Sequence, residues 1–310
     1  MPHRRLIGGV LGLELLFVLL WNSGFIGAEY GLPFTGPWTL LFWRYVALSG
    51  LLGLWLAATG RWTLPDRTTI GRTALVGVLA HGVWLGLVLV AIDMQVPVGI
   101  IALVTALQPL LTGALSGLVV GERTGARQWL GLILGFCGVA IAVGARLSID
   151  TRTPVLGYLL PFGSVVGITA ASLMQRRWNR QAMMPPLPLD ATLFVQSLAT
   201  AGVLLWPAWW VEGFATRWTI PFVATMSWLV LAVSLGAYGV MWRLLARQEA
   251  TRVASLFYLS PPVTMLMAWL AFRDALLLTD LLGLTVAGFG VWAVYRGQPA
   301  SPPATPPGTY

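Results

Sequence analysis

Ten long apolar runs, separated by short gaps that hold most of the charge, organise this chain. They fall at about 6–25, 39–58, 73–92, 98–120, 128–145, 156–175, 191–210, 222–242, 253–272 and 280–296. Apolar residues are continuous within each run rather than alternating, which predicts helices and not barrel strands. A hydrocarbon core of about 30 Å takes about 20 helical residues, close to the length of these runs. The pattern therefore predicts an all-α integral membrane protein with ten transmembrane helices. The first run carries Glu14 and lacks a clear small-residue cleavage site before the next span, so it reads as a span and not as a removed signal peptide.

The runs also repeat. Gln108–Val139 recurs without a gap 152 positions later as Ser260–Val291. Pro109, Glu122, Gly131, Gly138 and Val139 fall on Pro261, Asp274, Gly283, Gly290 and Val291. Each copy has a proline in a long apolar stretch, an acid 13 places on, then a Gly-punctuated apolar stretch. Two five-helix units are expected, at 1–145 and 156–296, with a short linker at 146–155 and a Pro-rich, disordered tail at 297–310.

Composition narrows the class. Hydrophobic residues make up 57% of the 310 and charged residues 10%, with a mean hydropathy of +0.78, which excludes a soluble domain. The lone cysteine, Cys137, lies in an apolar run and reads as a small core residue, with no disulfide framework or Cys-based metal site. All 19 basic residues are arginine. Assigning the gaps alternately to two sides puts most of them with the N-terminus, among them Arg4, Arg5, Arg61, Arg67, Arg72, Arg123, Arg176, Arg177, Arg180 and Arg243. Only Arg146, Arg152, Arg217 and Arg273 face the other side. The positive-inside rule then sets both termini in the cytoplasm. Arginines so placed orient spans and do not form a nucleic-acid face. Five spans per unit is an odd number, so the two repeats are inverted, an architecture of many secondary transporters. Tryptophans such as Trp38, Trp43, Trp206, Trp209, Trp210 and Trp218 read as an interfacial belt at the outer span ends.

Polar groups inside spans mark a pathway because burying them in lipid is costly. At about 1.5 Å per residue, Glu14 and His81 both lie roughly 12 Å from the cytoplasmic ends of their spans. Trp84, Gln108 and Tyr238 lie at roughly 15 Å, the midplane. Glu14 is either a proton-coupling carboxyl or a neutral acid hydrogen-bonded inside the bundle. His81 either shares a proton or contacts a substrate carboxylate, or is a buried histidine bonding a backbone carbonyl. Arg44, about 6–8 Å from the outer surface, is expected to snorkel outward, or else to bind an anionic group at the outer mouth. Pro109 and Pro261 interrupt spans 4 and 9 at matched positions and are expected to act as hinges, with Gln108 and Tyr258 beside them. Glycines at small-xxx-small spacing, such as Gly131–Gly135, are packing devices.

These residues resemble a known family. Trp21-Asn22-Ser23-Gly24-Phe25-Ile26-Gly27 with Tyr30-Gly31-Leu32-Pro33 is similar to the first-span signature of the EamA branch of the drug/metabolite transporter superfamily. So are Arg44, His81-Gly82-Val83-Trp84-Leu85-Gly86, Leu107-Gln108-Pro109-Leu110-Leu111-Thr112 leading to Gly121-Glu122-Arg123, and Ser255-Leu256-Phe257-Tyr258-Leu259-Ser260-Pro261-Pro262-Val263. The resemblance covers about residues 6–295. It implies two inverted five-helix repeats around a cavity lined by spans 1, 3, 4, 6, 8 and 9, and export or exchange of small metabolites, often amino acids, or of toxic compounds. Trp21 and Asn22 join the cavity set on this ground. Glu14 lies outside the family pattern, and Arg273-Asp274 stands where Gly-Glu is expected.

Absent motifs exclude other classes. There is no HExxH, no GxxxxGK[ST] and no TVGYG-like filter, which argues against a zinc protease, an ATP-driven pump and a potassium-type channel. No cofactor or metal is expected; energy would come from a proton or substrate gradient. The expectation is a multi-pass inner-membrane exporter of amino acids or analogues, as a monomer or homodimer. Drug efflux, or an enzyme acting on a lipid-linked substrate, stands as the alternative.

Overall fold

The computed structural model describes residues 2–62, 65–121, 126–149, 153–181, 183, 187–245, 253 and 256–295. The tail at 297–310, Glu122 with Arg123, Arg152 and Ser255 lie outside them. All regular structure among the described residues is helical apart from one isolated bridge, Thr35 to Thr216. The helices are α1 (Pro2–Gly31), α2 (Pro37–Ala58), α3 (Arg67–Gly77), α4 (Trp84–Asp93), α5 (Val98–Thr105), α6 (Gln108–Val120) and α7 (Ala126–Ile149). They continue as α8 (Val155–Arg180), α9 (Leu189–Trp210), α10 (Ile220–Ser227), α11 (Tyr238–Leu245), α12 (Ser260–Phe272) and α13 (Leu278–Tyr295). Eight stretches are long and apolar enough to cross a membrane, while Leu256–Phe272 and Leu278–Gly290 are shorter apolar helices.

Side-chain placement follows the solvent. Outward positions are apolar, with Leu54, Leu118 and Ile220 largely exposed, whereas Thr39, Ser164, Thr200 and Thr264 are fully buried. Lipid tails are as apolar as leucine, so apolar surface faces them at no cost while polar groups turn inward. Cys137 is exposed on this outer surface and is not a core residue, because a small apolar side chain is equally at home against lipid. Two of the expected belt tryptophans are half-buried. Trp38 lies on Gly86, and Trp43 Nε1 donates to Thr216 Oγ1 at 3.3 Å.

Helices from the first half of the chain pack on helices from the second: α7 on α13, α2 on α9, α4 on α8 and α5 on α12. The α7–α13 contact brings backbone against backbone. A Cβ on Gly138 would stand 2.4 Å from the Gly283 carbonyl oxygen, so the pair packs this closely only as glycines. At one end of this interface Arg146 pairs with the buried Asp280 at 2.5 Å, whose carboxylate also accepts from Leu277 N–H at 3.0 Å.

Span 4 is interrupted beside its proline, which starts a new helix rather than kinking a continuous one. The helix that starts at Val98 ends at Thr105, and Pro109 lies in the first turn of α6, just as Pro261 lies in the first turn of α12. Proline is favoured there because that position needs no amide donor and its φ is already helical. Both helices have 13 residues and end on a left-handed residue, Gly121 at φ 74° and Arg273 at φ 59°.

Candidate functional site

Two adjoining cavities, of about 680 and 880 Å³, occupy the centre of the bundle and share Trp21, Phe25, His81, Trp84 and Tyr238. The larger is walled by α1, the Val78–Val83 segment and α4, the α5–α6 break, α8, α11 and the Leu256–Leu259 turn with the start of α12. Its floor is aromatic. Trp21 stacks on Trp84 with centroids 6.5 Å apart and meets Tyr238 and Phe257 edge-on at 5.7 and 5.0 Å. Gln108 and Tyr258 line the same space, where Gln108 Nε2 donates to Thr112 Oγ1 at 3.1 Å and Ser172 Oγ at 3.4 Å.

Two stretches of π-helix, Val78–Val83 and Trp228–Ala237, contribute to the polar wall of the smaller cavity. A π-turn widens the helix by one residue and frees a carbonyl or side chain to point elsewhere. The first presents His81, 8% exposed, whose Nε2 lies 3.2 Å from Gln196 Oε1 on α9. Gln196 can come this near because Gly77 has no side chain; a Cβ there would lie 2.6 Å from the Gln196 Cα. The second presents Ser234, whose hydroxyl donates to Leu229 O at 3.0 Å and accepts from Arg44 Nε and Nη2 at 3.1 and 2.9 Å. Arg44 is 6% exposed and its guanidinium lies 5.9 Å from the Tyr45 ring. The expected outward snorkelling is therefore wrong: a buried hydroxyl on the neighbouring span offers this cation a partner inside the bundle.

Comparison with known proteins completes the description. Residues 7–144 match the model of the EamA-like transporter family. The chain is 28% identical over 277 residues to the uncharacterized transporter YvbV of Bacillus subtilis, covering 88% of this chain and 87% of that one. The first half of the chain thus resembles the EamA-like transporters. The whole chain is also 26% identical to the uncharacterized inner membrane transporter YedA of Escherichia coli K12, over 99% of this chain and 97% of that one. It is 25% identical to a probable amino-acid metabolite efflux pump of Salmonella typhimurium, over 89% of each. A crystal structure aligns over 93% of this chain and 98% of its own with a TM-score of 0.62 and 18% identity, a likeness of fold. The protein is a multi-pass protein of the inner membrane, and the proteins that it resembles are named as transporters.

Not every residue picked out in the sequence meets at the cavity. Trp21, Arg44, His81, Trp84, Gln108, Pro109, Tyr238 and Tyr258 do. Glu14 does not: it is 7% exposed, one turn before Phe17 and Val18, which pack on Val240, Leu244 and Val253. The membrane-length stretch here runs Leu11–Phe34 rather than 6–25, so its middle lies near Trp21 and not near Glu14. Asn22 turns away too, donating to Val18 O at 2.7 Å and accepting from Thr264 Oγ1 at 3.1 Å, and so ties α1 to α12. Pro261 is buried beside this contact and lines neither cavity.

Four further participants carry no polar signal strong enough to stand out in sequence. Gln196, Ser197 and Ser234 are ordinary polar residues within apolar runs, and Phe257 is one aromatic among many. At the face opposite the N-terminus, Glu212 accepts from the amides of Trp38 and Thr39 at 3.1 and 2.7 Å and so caps α2. Thr35 and Arg217 add cross-half contacts there, to Ala215 O at 2.9 Å and to Pro33 O.

Proposed function

We propose that this chain is a secondary active transporter that exports or exchanges small polar metabolites, amino acids or analogues first among them, by alternating access. In this reading ten spans form two inverted repeats, 1–145 and 156–296, around a linker at 146–155, with both termini and the 297–310 tail in the cytoplasm and the protein a monomer or homodimer. The observation that carries it is the composition of the cavity wall. Trp21, His81, Trp84 and Gln108 from one half face Tyr238 and Tyr258 from the other. A site shared between halves is exposed to alternate sides when one half rocks on the other. The equal lengths, first-turn prolines and left-handed caps of α6 and α12, spaced 152 positions apart, favour the internal repeat. The printed name of the Salmonella relative favours amino-acid metabolites as cargo. Proton coupling is assigned to Glu14, an acid held out of water within α1.

Counterflow in proteoliposomes tests the reading. Vesicles preloaded with unlabelled amino acids should accumulate external labelled amino acid faster than empty ones, and Glu14→Gln should flatten the pH dependence of that exchange. Flux without trans-stimulation would make the protein a channel. Chemical conversion without flux would make it a membrane enzyme.

A further inference from the structure

The charge in the cavity wall narrows what can occupy it. Arg44 is a buried guanidinium facing the cavity, held by one serine hydroxyl. Neither of the ion pairs Arg61–Asp190 and Arg146–Asp280 involves Arg44. No aspartate or glutamate lines either part of the cavity among the described residues. A buried cation without a counter-charge is unfavourable, and a guanidinium offers more donors than one hydroxyl can accept. Its planar fork matches a carboxylate in a bidentate pair. The remaining surface, Trp21, Trp84, Tyr238 and Phe257, presents ring faces and edges suited to an apolar or aromatic body.

We infer that the cavity takes an amphiphilic organic acid, its carboxylate held by Arg44 and its apolar or aromatic body by these rings, with no ammonium group required. The inference rests on the transporter reading of the same cavity and sharpens it. An amino acid fits through its acid end, whereas a lipophilic cation meets a fixed positive charge with no acid to offset it. His81 and Tyr45 line the same wall as Arg44, with their rings 5.5 Å apart.

The test compares matched ligands on the purified full-length chain by calorimetric titration: phenylacetate, phenylacetamide, phenethylamine and phenylalanine. Phenylacetate and phenylalanine should bind, with the amide and the amine weaker by roughly tenfold or more, the size expected of a charge-assisted pair. Arg44→Gln should erase the preference for the acid, and Arg44→Lys should keep part of it. If Arg44→Gln does not fold, the wild-type series alone decides. Equal or tighter binding of the amine, or binding of neither acid at millimolar concentration, overturns the inference. Counterflow of the same ligands is read separately. Acid-selective binding without exchange sinks the transporter reading alone, and amine exchange without acid preference sinks this inference alone.

Discussion

Arg273 shows how one residue can carry a conformational cost that its repeat partner avoids. It closes α12 in the left-handed region at φ 59°, where Gly121 closes α6 at φ 74°. A side chain in that conformation costs about 1 kcal/mol relative to glycine. Arg273 is exposed, so little packing offsets the strain. Arg273→Gly should therefore raise stability by about 1 kcal/mol, read as a higher thermal midpoint in detergent; an unchanged or lower midpoint would show that the arginine makes a compensating contact. The sequence carried this clue, since Arg273 stands where the first copy has glycine. It could not say where Arg44 points, because the deciding hydroxyl, Ser234, lies 190 positions away. Nor could it separate Asn22 from Trp21, adjacent residues on faces about 100° apart on the helix. One ring enters the cavity while its neighbour's amide binds Thr264.

At the level of elements, the boundaries of apolar runs translated into helices with small errors, and the errors have causes. The first run ended near Phe25 on composition because Gly27, Glu29 and Gly31 interrupt it, yet α1 continues to Gly31. In hydrocarbon an unpaired backbone amide is so costly that the helix persists through such residues. The π-stretches at Val78–Val83 and Trp228–Ala237 have no signature in a hydropathy pattern that both α and π geometry satisfy. The glycine contact between α7 and α13 was legible as spacing, but its partner was not. It yields a sharp contrast: Gly138→Leu drives a side chain into the Gly283 carbonyl and should destabilise the protein by about 1–3 kcal/mol or more. Gly144→Ala, on the same helix with nothing within 4 Å, should be neutral or stabilising by up to about 1 kcal/mol. Equal unfolding midpoints for the two variants would remove this interface from any account of stability.

For the whole molecule, contacts at the face opposite the N-terminus join early and late segments of the chain. Thr35 bridges Thr216, Glu212 caps α2, and Arg217 reaches Pro33 O. If the halves rock during transport, these contacts must part in each cycle. A paired antiparallel position brings Cα atoms about 4.5–5.5 Å apart, within range of a disulfide. With Cys137→Ser as background, Thr35→Cys with Thr216→Cys should cross-link on oxidation, halt counterflow, and recover on reduction. Full transport in the cross-linked state would mean that this face does not open.

Sequence alone determined that the chain lives in a membrane, and roughly where its apolar helices begin and end. These follow from a local property, a run's length against the thickness of hydrocarbon. The fold alone decided that Arg44 turns inward, that His81 meets Gln196, that Glu14 stands apart from the cavity, and that each helix of one half packs on a helix of the other. Those outcomes depend on which groups from distant segments come within about 3 Å of one another. Hydropathy records where an apolar helix runs, and only packing records what its residues face.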